Sequence, residues 1–201
     1  SIAFLAFTRK AANEAKERAA KRFNLDPKKD LFYFRTLHSL ALTCSDIRPE
    51  QVMQDENYRE LSQKIGVGLN VQRVNSFDED IPEATKTSDP ILGLINLARM
   101  RKVPLRQQYN ETPIETEWNI VTYVDQCLTS YKENMEMYDF TDMLESFPQE
   151  GHITCPNFDL CFVDEAQDLS PLQWDIAHLL DERSKRMYCA GDDDQAIYRW
   201  A

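Results

Sequence analysis

The chain has 201 residues, 42% hydrophobic and 28% charged, with a net charge of −11. That is enough apolar material for a core, yet no run approaches the roughly 20 apolar residues a membrane span needs. A basic n-region followed by an apolar h-region and a cleavage site is not seen either, so the sequence does not read as a secreted protein.

The first residues, Ile2-Ala3-Phe4-Leu5-Ala6-Phe7, form an apolar run that predicts a buried strand. Thr8 suits the N-cap of a helix over residues 9–23, which is rich in Ala, Glu, Lys and Arg. A polar turn containing Pro27 leads to an aromatic strand over 31–34 and a short helix over 37–43. This β-α-β-α order is the signature of a parallel sheet with helical crossovers. Residues 46–150 are more acidic and Pro-rich, with helical patterns at 50–65, 90–101, 115–134 and 139–147 and loops at 66–89 and 102–114. The β-α-β rhythm then returns: a strand over 159–164, a helix over 171–181 started by Ser170-Pro171, and a strand over 186–190. A turn into 195–200 follows. The expected fold is α/β, with one parallel sheet from residues 1–45 and 151–201 and a mainly helical insertion, 46–150, between its halves.

Charge is unevenly spread. Residues 1–35 hold nine basic and four acidic side chains, a net of +5 in a chain of −11, which leaves −16 for the rest. Such a segment could form a phosphate-contacting face, while charge alone favours a solvated helix face with i,i+4 pairs. The five scattered cysteines, Cys44, Cys127, Cys155, Cys161 and Cys189, fit reduced thiols in a cytoplasmic compartment. His152 and Cys155 have no second pair at ligand spacing to complete a structural zinc site.

Chemistry concentrates where apolar runs end in acids. Leu160-Cys161-Phe162-Val163 ends in Asp164-Glu165-Ala166-Gln167-Asp168, and the next strand runs into Gly191-Asp192-Asp193-Asp194-Gln195. In open α/β sheets ligands bind beyond the carboxyl ends of the strands. Two neighbouring strands would deliver Asp164, Glu165, Asp192 and Gln195 to one crevice, an arrangement that suits Mg²⁺, a nucleotide phosphate and an attacking water. Asp164 is placed as a Walker-B strand places its metal carboxylate, and Glu165 as the general base.

These runs, extended through Ala196-Ile197-Tyr198-Arg199-Trp200, resemble motifs II and III of the superfamily 1 helicases of the UvrD/Rep/PcrA type. Ala6-Phe7-Thr8-Arg9-Lys10-Ala11-Ala12 resembles their motif Ia, and Phe34-Arg35-Thr36-Leu37-His38-Ser39-Leu40-Ala41 their motif Ib. Tyr138-Asp139-Phe140-Thr141-Asp142-Met143-Leu144 is similar to the segment that precedes motif II. The resemblance implies a RecA-like P-loop NTPase sheet, ATP and Mg²⁺ as cofactors, and single-stranded DNA with its duplex junction as partner. An accessory loading protein stays unidentified, and the setting is the cytoplasm, at the nucleoid or in a viral host. Asp164 would bind Mg²⁺, Glu165 would act as base, and Gln195 would sense the γ-phosphate, with Gln167 helping that coupling at the nucleotide. Phe7, Tyr198 and Trp200 would stack on bases, while Thr8, Arg9, Lys10, Thr36 and His38 would meet the DNA backbone.

Some positions depart from the pattern. Arg9 stands where the family commonly has Asn, Leu37 where Phe is common, and Ala166 where Phe is frequent. The five glycines cannot assemble a Gly-x-x-x-x-Gly-Lys-Ser/Thr cradle, which in the family precedes motif Ia. The chain therefore reads as an incomplete first motor domain of a 3′-to-5′ translocase, inactive by itself in ATP hydrolysis. If the acidic insertion touches DNA, it would do so through local basics such as Arg99, Arg101, Lys102 and Arg106. Two rivals stay open: a non-catalytic DNA-binding or scaffold module, and a metal-dependent nuclease built on Asp164, Glu165 and Asp192.

Overall fold

The computed structural model describes residues 1–70 and 89–196. They form two compact units, one from residues 1–46 and 143 onward, the other from 47–142.

The first unit is built on four strands, β1 (Ile2–Ala6), β2 (Tyr33–Thr36), β3 (Leu160–Val163) and β4 (Met187–Cys189). They lie in the order β2-β1-β3-β4, and every pairing is parallel. The α/β fold expected from the β-α-β rhythm is present. Side chains alternate across a strand, so the register decides which residues share a face. Ala3 lies opposite Cys161, and Leu5 opposite Val163. These four are buried in one cluster with Leu37, Leu40 and Ala41 of helix α2 (Leu37–Thr43) and with Leu172, Ile176, Ala177 and Leu180 of the later helix at Pro171–Glu182. On the other face Phe4 stacks on Phe34 at 5.4 Å between ring centroids and Phe162 on Tyr188 at 5.3 Å. Helix α1 (Arg9–Phe23) packs on β1 and β2 and stays out of the Leu5 cluster. This follows from right-handed crossovers: β1 to β2 and β3 to β4 move in opposite directions along the sheet, so their helices fall on opposite faces.

The second unit is helical: α3 (Asp55–Ile65), α4 (Pro90–Arg101), α5 (Leu105–Glu111), α6 (Trp118–Met135) and the start of α7 (Phe140–Ser146). Its core gathers Met53, Leu61, Ile91, Leu92, Ile95, Val121, Val124 and Leu128. Asp89 caps α4 by accepting from the amides of Ile91 and Leu92 at 3.0 Å, with Pro90 at the first helical position. At the start of α7, Asp139 and Asp142 cap one another, the amide of each donating to the other's carboxylate at 2.7 and 2.8 Å. Both carboxylates also accept from Arg99 and Lys132. Burial alone pushes the Asp139 carboxyl up, but the two cations more than offset it and its pKa is lowered.

Several element boundaries differ from the sequence reading. The second strand runs over 33–36 rather than 31–34, because Leu31 is buried in the turn and the pairing starts at Ala3 with Tyr33. The stretch over 50–65 divides into a single turn at Pro49–Gln51 and α3, separated by a bridge from Val52 to Tyr138. Residues 105–111, expected as loop, are helical. Met143, Leu144 and Phe147 belong to the sheet unit, whose second segment thus starts before residue 151. The pattern continues through a π-helical turn at Phe147–Gly151 and α8 (His152–Thr154); the helix at Pro171–Glu182 is α9.

Removing one partner of a buried, hydrogen-bonded ion group leaves the others uncompensated. Asp139 is 3% exposed, so Asp139→Ala is expected to cost about 3–5 kcal/mol in urea unfolding. The exposed Glu14→Ala should change stability by less than about 1 kcal/mol. Equal losses for the two variants would contradict a structural role for the cluster.

Candidate functional site

Parallel strands end together. Beyond the carboxyl ends of β1, β2, β3 and β4 come Phe7 to Lys10, Leu37 and His38, Asp164 to Asp168, and Ala190 to Gln195. Thr36, the last residue of β2, ends at the same edge. Phe7, Thr8, Arg9, Lys10, Thr36, His38, Asp164, Glu165, Gln167, Asp192 and Gln195 therefore all lie along one edge of one sheet, whereas Arg99, Arg101, Lys102 and Arg106 belong to the helical unit. Tyr198 and Trp200 lie outside the described residues. The strand order reverses between β1 and β3, the position where open α/β sheets form their ligand crevice. There the Asp164 amide donates to the Leu5 carbonyl at 2.8 Å, which sets the acidic loop beside the end of β1.

Asp164 is partly buried. Burial first, and the neighbouring Glu165 second, push its carboxyl up. A carboxylate placed so is destabilised until a cation or donors arrive. Glu165 is exposed and adopts a left-handed backbone, φ 53 and ψ 43, which is uncommon for a residue with a Cβ. The following amide, Ala166 N–H, donates to the Ala190 carbonyl at 2.9 Å, and Ala190 N–H donates to the Val163 carbonyl at 2.8 Å. The β3 and β4 loops are thus joined by backbone as well as by side chains. Gln167 donates through Nε2 to Glu165 Oε2 at 2.6 Å and accepts at Oε1 from Asp192 N–H at 3.1 Å. Asp192 accepts from the Asp194 amide at 3.0 Å and from Gln195 Nε2 at 2.6 Å.

The β1 and β2 loops start helices. Thr8 caps α1 by accepting from Ala11 N–H at 3.1 Å, and Thr36 caps α2 by accepting from Ser39 N–H at 3.2 Å. Arg9 and Lys10 are exposed in the first turn of α1, at the positive end of its macrodipole, where cations are locally disfavoured. Phe7 is partly buried against the sheet core. Thr36 and His38 are buried, at 8% and 7% exposure, so neither stands on the surface as a ready backbone contact. In the helical unit Arg99 is committed to Asp139 and Asp142, Arg101 to Gln108 and Glu111, and the Arg106 guanidinium lies over the rings of Tyr109 and Trp118. Gly191, at the head of the acidic run, has no role in the sequence reading; an added Cβ there would lie 2.5 Å from Gln167 Oε1. A glycine directly after a strand was the available signal for close approach.

The donor chemistry can be tested against Mg²⁺. Among the described residues no three His, Cys, Asp or Glu side chains are grouped to hold a metal. Mg²⁺ does not need such a cage: it binds through one or two carboxylates and fills its octahedron with water and substrate phosphates. Asp164, a hard oxygen donor at the crevice, fits that pattern.

An all-parallel sheet with acid-tipped neighbouring strands defines a class of α/β proteins that handle ligands at the strand ends. The family is explicit: over residues 1–201 the chain matches the UvrD/REP helicase N-terminal domain, and it belongs to that family. It is 28% identical over 208 residues to the ATP-dependent DNA helicase PcrA of Leuconostoc citreum, covering 99% of this chain and 27% of that protein. It is 29% identical over 218 residues to YjcD of Bacillus subtilis, with 98% and 26% covered. It is also 26% identical over 220 residues to the ATP-dependent DNA helicase PcrA of Bacillus subtilis, with 100% and 27% covered. The chain thus spans about a quarter of the length of these relatives.

The caps that turn β1 and β2 into helices depend on a hydroxyl. Thr8→Ala and Thr36→Ala are each expected to lower stability by about 1 kcal/mol, while Thr→Ser retains most of it, read by thermal or urea unfolding. Serine variants as unstable as the alanine variants would assign the loss to the methyl group instead.

Proposed function

We propose that this chain is part of the first motor domain of an ATP-dependent DNA helicase or translocase, which couples Mg-ATP hydrolysis to 3′-to-5′ movement on single-stranded DNA in the cytoplasm. One observation carries the reading. The Glu165 loop and the Gln195 loop lie on adjacent parallel strands, are tied to each other by hydrogen bonds, and emerge at the same edge as Thr8, Arg9 and Lys10. On this reading residues 1–46 and 143–201 belong to a RecA-like core, and the helical unit is a subdomain inserted into it.

When bound, Mg-ATP supplies an activated γ-phosphoryl group and a cation to neutralise its charge. Asp164 would hold the metal, a role that suits a carboxyl pushed up by burial and by Glu165. Glu165, exposed at the mouth of the crevice, would orient a water and take its proton. Gln195 is an uncharged donor on the neighbouring loop, and its amide would leave Asp192 for a phosphate oxygen. Arg9 and Lys10 stand at a helix N-terminus where phosphate is favoured and cations are not, which is the arrangement expected of a DNA-backbone contact. Phe7, Tyr198 and Trp200 would supply stacking faces, and Thr36 and His38, buried at the start of α2, would join the track only where that helix start is uncovered. The single-strand to duplex junction is the expected partner of the intact protein.

The nuclease reading fares less well. A two-metal centre needs carboxylates free to bridge two ions, whereas Asp192 is occupied by Asp194 N–H and Gln195.

In the intact protein Glu165→Gln is expected to abolish DNA-stimulated ATP hydrolysis while leaving nucleotide binding within about twofold of the parent. Retained turnover would remove Glu165 from the role of base, and Mg²⁺-dependent DNA cleavage without ATP would favour the nuclease. Separately, Arg9→Ala and Lys10→Ala should each weaken single-strand binding and reduce its log–log salt slope by about 0.7. An unchanged slope would take that residue off the DNA backbone.

A further inference from the structure

The geometry points to Gln167 as a positioning residue that brackets the base to the sensor, and to Gly191 as the residue that leaves room for it. This rests on the motor reading above and adds a part to it.

Gln167 uses both ends of its carboxamide in hydrogen bonds to its own chain, at the exposed edge of the sheet. Nε2 donates to the Glu165 carboxylate at 2.6 Å, and Oε1 accepts from Asp192 N–H at 3.1 Å. The orientation of the amide is dictated by its partners, because a flipped group would set oxygen against carboxylate and NH₂ against N–H. Few side chains meet both demands. Glutamate at 167 would repel Glu165 and lose the donor, and asparagine is one methylene too short. The bracket continues, since Asp192 also holds Gln195 Nε2 at 2.6 Å. Glu165, Gln167, Asp192 and Gln195 therefore form one hydrogen-bonded series across two loops. Any shift of the Asp192–Gln195 turn moves the amide that Gln167 grips, and through it the carboxylate of Glu165. The left-handed backbone of Glu165 is locally disfavoured, so its orientation depends on such outside ties.

Gly191 explains how the carboxamide reaches so far. A Cβ built there would lie 2.5 Å from Gln167 Oε1, 3.1 Å from its backbone nitrogen and 3.4 Å from Ala166 N. The nearest of these atoms is the mobile end of a side chain, so an alanine would evict the carboxamide before it disturbed the strand. Gly191→Ala is thus a second route to the same lesion as Gln167→Ala.

The test is a double-mutant cycle in the intact protein, reading ATP affinity, KM and kcat of DNA-stimulated hydrolysis. Gln167→Ala is expected to lower kcat about 10- to 100-fold, the usual cost of losing an orienting partner. KM and nucleotide affinity should stay within about twofold, a split that general loosening of the fold would not produce. Gly191→Ala should behave alike, and the double variant should match Gln167→Ala to within about twofold. The proposal is overturned if Gln167→Ala keeps the parent kcat, or if Gly191→Ala multiplies the loss on the Gln167→Ala background. Should Gly191→Ala fail to fold, the kcat against KM split of Gln167→Ala decides alone. A parent protein with no DNA-stimulated turnover overturns both this proposal and the motor reading, whereas Glu165→Gln inactivity beside a silent Gln167→Ala overturns only the bracket.

Discussion

Strands that all run one way must all finish at one edge, and that constraint organises everything else in the sheet unit. Antiparallel pairing would send half of the loops to the opposite end. With β2, β1, β3 and β4 parallel, the polar runs that follow them converge although they are separated by as much as the whole chain. The reversal of order between β1 and β3 then opens a crevice at that edge, and the Asp164 amide on the Leu5 carbonyl ties its two sides. The buried face, with Ala3, Leu5, Cys161 and Val163 under α2 and α9, keeps those ends in register. Packing in the core and chemistry at the edge are one problem here, because a one-residue slip would turn both.

Electrostatics divides the edge into two parts. The β3 and β4 loops carry Asp164, Glu165, Asp192, Asp193 and Asp194, and burial with the like charge of Glu165 already pushes the Asp164 carboxyl up. On the proposed reading Asp164 meets a divalent cation there. The β1 loop is the reverse, with Arg9 and Lys10 gathered at the positive end of a 15-residue helix. A triphosphate with its metal suits the first part and a phosphodiester backbone the second. This pairing fits membership of the UvrD/REP helicase N-terminal domain family.

Much of this could be read from residues. Thr8, Ser170 and Pro171 announce helix starts through cap chemistry, and all are used as such. The acid-tipped runs after Val163 and Cys189 do follow strand ends, as their apolar-to-polar change announces, although β4 is an exposed edge strand and not the buried one its residues suggest. What was not legible depends on tertiary partners. Helix α5 is polar and lies between Pro104 and Pro113, so its pattern is that of a loop; Arg101, reaching Gln108 and Glu111, helps to hold it. Arg99 looks like a DNA contact by charge, but Asp139 and Asp142 claim it, and no local pattern announces a partner 40 residues away. The burial of Thr36 and His38 is set by how α2 packs, not by residue type. The hydrogen-bonded series from Glu165 to Gln195 is visible only once β3 and β4 are known to be neighbours.

The central claim is that the edge built by these four parallel strands is where Mg-ATP binds and where its presence is sensed. A crystal structure of the intact protein with a non-hydrolysable ATP analogue and Mg²⁺ tests it most directly. The account expects the metal at the Asp164 carboxylate, bound directly at about 2.0–2.1 Å or through a single water. It also expects the Gln195 amide to have left Asp192 for the γ-phosphate. A nucleotide bound at another edge of the sheet, or bound here with the metal away from Asp164 and Gln195 still on Asp192, would contradict it.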